Sequence, residues 1–94
     1  MIPKVLIAEP IHKDGIDILR KYVEVIELPP SSTIEDLKRA IVDVDALISR
    51  GFIKITRDVL SAANKLKIVV VHGVGIDHID LEAAKELGIK VVNI

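Results

Sequence analysis

Apolar positions in this chain switch repeatedly between a continuous or alternating pattern and a helical one. Val5–Ala8 is a short unbroken apolar run and reads as a strand. Lys13–Tyr22 follows with Ile16, Leu19 and Tyr22 on one side, which predicts a helix whose first turn Gly15 weakens. Val23–Leu28 reads VEVIEL, nearly alternating, as a strand with one wet face does. A turn at Pro29-Pro30-Ser31 comes next. Ser32 and Glu35 then have capping-box spacing, and Ile34, Leu37, Ile41 and Val44 form one helical stripe.

The alternation continues to the last residue. Asp45 leads into a strand, Ala46–Ser49, and Thr56 is placed to cap a helix carrying Val59, Leu60, Ala63 and Leu66. Lys67–Val71 predicts a strand, Asp80–Leu87 a helix, and Gly88 a left-handed cap. Lys90–Asn93 predicts a final strand. Runs such as IVVV belong to strands covered on both faces, so the expected fold is α/β: a parallel sheet with helices on both faces. The alternating second strand belongs at an edge, which a flavodoxin-like order, 2-1-3-4-5, provides. No helix is left to cover the last strand, so residues 1–94 are expected to be the front part of a longer protein.

Composition narrows the class. Half of the 94 residues are apolar, enough for a core, but one Phe, one Tyr and no Trp make that core aliphatic. A formal charge of −1 and the scarcity of aromatics argue against a nucleic-acid binder. The absence of cysteine excludes disulfides and thiolate metal sites and suits a reducing, cytoplasmic setting. No apolar run approaches the ~18 residues of a membrane span.

Candidate chemistry lies beyond the carboxyl ends of the strands, where open parallel sheets bind ligands. Gly73-Val74-Gly75-Ile76-Asp77-His78 follows the fourth strand and resembles the dinucleotide fingerprint G-x-G-x-x-G, with His at the third glycine. That glycine normally lets the helix pack closely on the strand, so binding of a cofactor here is not expected. Two readings stay open. The glycines could present successive backbone N–H groups near a helix N-terminus to a carboxylate or phosphate. They could equally make a tight turn, with Asp77 or Asp80 capping the helix. His72 and His78 flank the loop without a third ligand nearby, so no metal site is expected.

Three stretches taken together resemble the front lobe of the D-isomer-specific 2-hydroxyacid dehydrogenases: Ser49-Arg50, KLKIVVVHGVGIDHID and AAKELGIKVVN. The likeness is strong over residues 45–94 and extends to residues 1–44 in layout. It implies a two-lobed enzyme that transfers hydride between a 2-hydroxy acid and NAD, with the catalytic Arg, Glu and His, and the Rossmann fingerprint, in later segments. This chain alone is then expected to bind no NAD and to be inactive. The resemblance implies that the N–H groups of Val74 and Gly75 hold the substrate carboxylate. It also implies that Arg50 can meet a charged substrate group and that Asn93 faces the cleft; a surface ion pair for Arg50 and a strand cap for Asn93 are the plainer alternatives. It makes His72 a strand-end residue and His78 a helix-approach residue rather than the catalytic base.

Other functions on this fold fit less well. A phospho-receiver needs an acid where Ser49-Arg50 stands. A cobalamin carrier needs an Asp where Pro10 precedes His12. A non-catalytic binding or interaction module remains the alternative. Apolar surface left bare by absent elements would also favour a homodimer or larger homo-oligomer.

Overall fold

A computed structural model describes residues 2–51, 53–73 and 75–94. Five strands alternate with helices: β1 (Lys4–Ile7), α1 (Lys13–Leu19), β2 (Glu24–Glu27), α2 (Ile34–Ala40), β3 (Ala46–Ser49), α3 (Arg57–Ala62), β4 (Ile68–Val71), α4 (Leu81–Glu86) and β5 (Lys90–Asn93). All pairings are parallel and the order is 2-1-3-4-5, as expected, with the alternating second strand at an edge.

Register explains the core. Ile26, Leu6, Leu47, Val69 and Val91 stand opposite one another across all five strands. They meet Leu37, Val59, Leu60, Ala83 and Ala84 from α2, α3 and α4 in one apolar cluster. Side chains alternate along a strand, so Val5, Ile7, Ile48 and Val70 face the other way. On that side α1 buries Ile16. An apolar hollow of about 380 Å³ remains between α1 and the sheet, lined by Leu19, Ile48, Val70 and Ile94 among others.

Several boundaries differ from the sequence pattern. The first helix ends at Leu19 rather than Tyr22, and Tyr22 is exposed. The Tyr22 and Val23 N–H groups both turn back to the Leu19 carbonyl, ending the helix before the aromatic reaches the core side. Its start is capped by His12, whose Nδ1 accepts from the Asp14 N–H at 3.1 Å. The second helix begins one residue later than expected. Thr33, not Ser32, is the cap, and Asp36 rather than Glu35 completes the capping box. Both pairs have the required spacing; the Thr33–Asp36 pair is the one that forms, ahead of the buried Leu37 and Ile41. Ile41 falls in a short 3-10 turn, Ile41–Asp43, after α2. The third helix stops at Ala62, four residues short of Leu66, which is buried all the same. Thr56 and Gly88 behave as expected: Thr56 caps α3, and Gly88 has φ 73°.

The capping box is also a pH-sensitive element. The Thr33 backbone N–H, foremost, holds the Asp36 carboxyl below its ordinary value of 3.8; the Thr33 hydroxyl and Arg39 add to this against a desolvation effect. A depressed folded-state value means that the stabilisation is present above the unfolded value and is lost as pH falls through the folded one. Asp36→Ala is therefore expected to flatten the loss of stability between about pH 5 and pH 2. Urea midpoints across that range check it; parallel curves for the two proteins would refute it.

Candidate functional site

The site forms where β3 and β4 end side by side. Ser49 pairs with Val71 in the parallel ladder, and the Ser49 carbonyl accepts the His72 N–H at 2.8 Å. This brings the Arg50 carbonyl against Gly73. A Cβ on residue 73 would lie 2.6 Å from that oxygen, so the position admits only glycine. Gly75 differs: nothing lies within 4 Å of where its Cβ would be. Neither residue has positive φ; among the described glycines only Gly51 and Gly88 do. The loop therefore does not use left-handed glycines to make its turn. Gly73 allows close backbone packing, and Gly75 leaves space.

Among the described residues the amides of Gly73 and Gly75 donate no hydrogen bond. Val74, the other expected carboxylate contact, lies outside the described residues. The α4 N-terminus does not add to an anion site here. Asp80 is its N-cap and accepts from the Ala83 N–H at 2.9 Å, so one of the two expected capping acids occupies it. Any anion at this loop meets loop amides, not a helix end.

Arg50 is exposed, and its Nη1 donates to the Pro10 carbonyl at 3.1 Å. It forms no ion pair among the described residues. Its side chain borders a hollow of about 320 Å³ lined also by Ala8, Glu9, Pro10, Pro30, Ser32 and Ile53. This hollow opens at the ends of β1 and β3, so it adjoins the glycine loop through the Arg50 backbone. Asn93 pairs in register with Val71 and is exposed at the same end of the sheet, on the edge strand. Its side chain makes no hydrogen bond among the described residues.

Sequence reasoning missed two buried groups beneath this surface. Glu9 and Ser49 are 5% and 0% exposed. Ser49 Oγ donates to Glu9 Oε1 at 3.2 Å and lies 2.9 Å from His78 Nε2. The expected role of His78, approach to the helix, is thus incomplete: its ring reaches back to β3. The signal available was an acid directly following the apolar run of β1. Ser49 stands 40 residues along the chain from Glu9 and 29 from His78, separations that no local pattern reports.

The Gly73 contact yields a direct test. Gly73→Ala forces backbone apart just beyond the ends of β3 and β4 and is expected to cost about 1–3 kcal/mol. Gly75→Ala, in open space, is expected to leave stability nearly unchanged. Equal denaturant midpoints for the two variants would contradict this assignment.

Comparison with known proteins bears on what such a site does. The sequence profile of the D-isomer specific 2-hydroxyacid dehydrogenase catalytic domain matches residues 5–94. The D-3-phosphoglycerate dehydrogenase of Methanocaldococcus jannaschii is 48% identical over 90 residues, covering 96% of this chain and 17% of that enzyme. A solved protein of Pyrococcus horikoshii superposes with a TM-score of 0.92 at 36% identity, over 100% of this chain and 28% of its own. The NAD+-bound 3-phosphoglycerate dehydrogenase of Entamoeba histolytica gives a TM-score of 0.88 at 29% identity, over 99% of this chain and 33% of its own. The chain thus spans less than two thirds of each of these relatives. With the profile matching residues 5–94 of its 94, this chain belongs to the D-isomer specific 2-hydroxyacid dehydrogenase family.

Proposed function

We propose that residues 1–94 are the front portion of the substrate domain of an NAD-dependent 2-hydroxyacid dehydrogenase, acting on D-3-phosphoglycerate. The observation that carries this reading is the Gly75 amide, which makes no hydrogen bond among the described residues and stands in the loop after β4, with nothing within 4 Å of where a Gly75 Cβ would lie. In this reading it donates to the substrate carboxylate. A charge-assisted hydrogen bond of that kind contributes about 1.5–3 kcal/mol. The Arg50 guanidinium, fork-shaped and permanently charged, meets the phosphate. Asn93 borders the same cleft. The preference for a phosphorylated acid over glyoxylate or lactate rests on Arg50 and on the similarity to the Methanocaldococcus enzyme.

The residues described here do not fit NAD. A dinucleotide turn needs a third glycine for close packing of the helix, and His78 fills that position with a ring packed over Gly51. NAD, which accepts the hydride, is therefore assigned to a Rossmann domain outside these residues. The proposal holds that this chain alone turns over no substrate. Self-association is part of the same reading. The apolar hollow beside α1 has Ile18 and Ile94 exposed at its rim, 57% and 72% respectively, and a second copy would cover them. Light scattering that stays monomeric at high concentration would remove that element.

Amide chemical shifts in the chain, titrated with D-3-phosphoglycerate and with glycolate, test the substrate reading. Both acids are expected to move the Gly75 amide. Arg50→Ala is expected to weaken phosphoglycerate about tenfold, or roughly 1.4 kcal/mol, and to leave glycolate unchanged. Equal weakening of both acids would remove the phosphate role. No response at Gly75 to either acid would favour a non-catalytic module that binds something else.

A further inference from the structure

The order of protons through Glu9, Ser49 and His78 follows from their geometry. The Ile53 N–H, which can only donate, is bonded to Glu9 Oε1 at 3.1 Å. Ser49 Oγ lies 3.2 Å from the same oxygen. Oε1 is thus an acceptor, and the serine directs its single proton to it. Only lone pairs remain on Oγ, so the proton between Oγ and His78 Nε2, 2.9 Å apart, comes from the ring. The chain runs one way: His78 Nε2–H to Ser49 Oγ–H to the Glu9 carboxylate.

This chain closes one end of the glycine loop. The His78 carbonyl also accepts the Ile55 N–H at 2.7 Å, so His78 is held by backbone and ring together. The ring sits over Gly51, whose φ of 111° favours glycine; a Cβ there would make ordinary contact with the ring, 3.8 Å from Nδ1. At the other end Gly73 is wedged against the Arg50 carbonyl. The Gly75 amide lies between the two fixed points. We propose that His78 is a positioning residue, which through Ser49 and Glu9 holds the Gly75 amide in place for a carboxylate. The functional half of this rests on the reading above; the clamp itself does not. Fixing a donor before its ligand arrives removes an ordering cost from binding. Here a histidine ring takes over the anchoring that the third glycine gives a dinucleotide turn.

Ring nitrogen spectra of the unmodified chain are expected to show His78 as the Nε2–H tautomer; an Nδ1–H tautomer overturns the proton order. Glycolate titration followed at the Gly75 amide tests the positioning role. His78→Gln, whose amide nitrogen reaches the place of Nε2, is expected to bind within about threefold of the parent chain. His78→Leu and Ser49→Ala are expected to weaken glycolate about tenfold, roughly the worth of one hydrogen bond. Leucine binding as well as glutamine overturns the role. Should the parent chain ignore glycolate, the carboxylate reading fails but the clamp is still decided by hydrogen exchange at Gly75. Faster exchange in His78→Leu, restored in His78→Gln, supports it, and unchanged exchange in both overturns it. The Gly88 amide, at the opposite end of the sheet, reports whether each variant is folded. If Ser49→Ala or His78→Leu does not fold, the tautomer of the parent chain and the His78→Gln titration decide.

Discussion

The site depends on a single close approach, the Arg50 carbonyl against Gly73. It follows from the parallel register of β3 and β4, which sets Ser49 beside Val71 and carries both strands out of the sheet together. Any side chain at 73 would separate them. With none there, the two exits run in contact, and Arg50 arrives beside the loop that holds Gly75. The isolated bridge between Ile55 and Ile79 repeats this pairing further out, so the loops after β3 and β4 remain neighbours well beyond the sheet. The site is an extension of strand pairing rather than a separate structure laid over it.

Two glycines with the same spacing as a dinucleotide turn therefore do different work. In that turn the first glycine bends the chain, the second admits the phosphates and the third seats the helix. In this loop Gly73 makes room for a neighbouring strand end and Gly75 leaves its surroundings open. The third position carries a ring that is itself a hydrogen-bonding group. The spacing G-x-G records tight backbone packing; what packs there is decided by the neighbouring loop. Ligand chemistry cannot be read from the glycines alone.

The sheet was legible because its signals are local. VEVIEL alternates as an edge strand does, IVVV is apolar throughout as a central strand is, and the short connections leave little choice of order. Thr56 and Gly88 are end signals that need only their own neighbours. Legibility failed where two local solutions competed or where the partner was distant. Ser32–Glu35 and Thr33–Asp36 satisfy the same spacing rule, and the helix uses the second. Tyr22 matches the helical period, yet the helix ends before reaching it. In the site, Arg50, Gly75 and Asn93 were named through resemblance to a family; Arg50 and Gly75 follow the ends of β3 and β4, and Asn93 ends β5. The Glu9–Ser49–His78 chain was invisible because each link crosses the fold.

That chain also accounts for a buried acid. Removing a carboxylate from water costs several kcal/mol unless hydrogen bonds replace the lost hydration. Glu9 is 5% exposed, and the donors it meets include the Ser49 hydroxyl at the end of β3 and the Ile53 N–H in the loop after it. An apolar residue at position 9 would avoid the cost, but it would take from the Ser49 hydroxyl and the part-buried Ile53 N–H the acceptor they share here. Glu9 thus acts on the loops more than on the core. Its hydrogen bonds with Ser49 and Ile53 favour the arrangement seen here, and Ser49 extends that preference to His78. A hydrophobic contact in the same place would tolerate sliding by a fraction of an ångström; a directional hydrogen-bond chain does not. The fold accepts a costly group at the base of the site, and its directional hydrogen bonds tie Ser49, Ile53 and His78 together there.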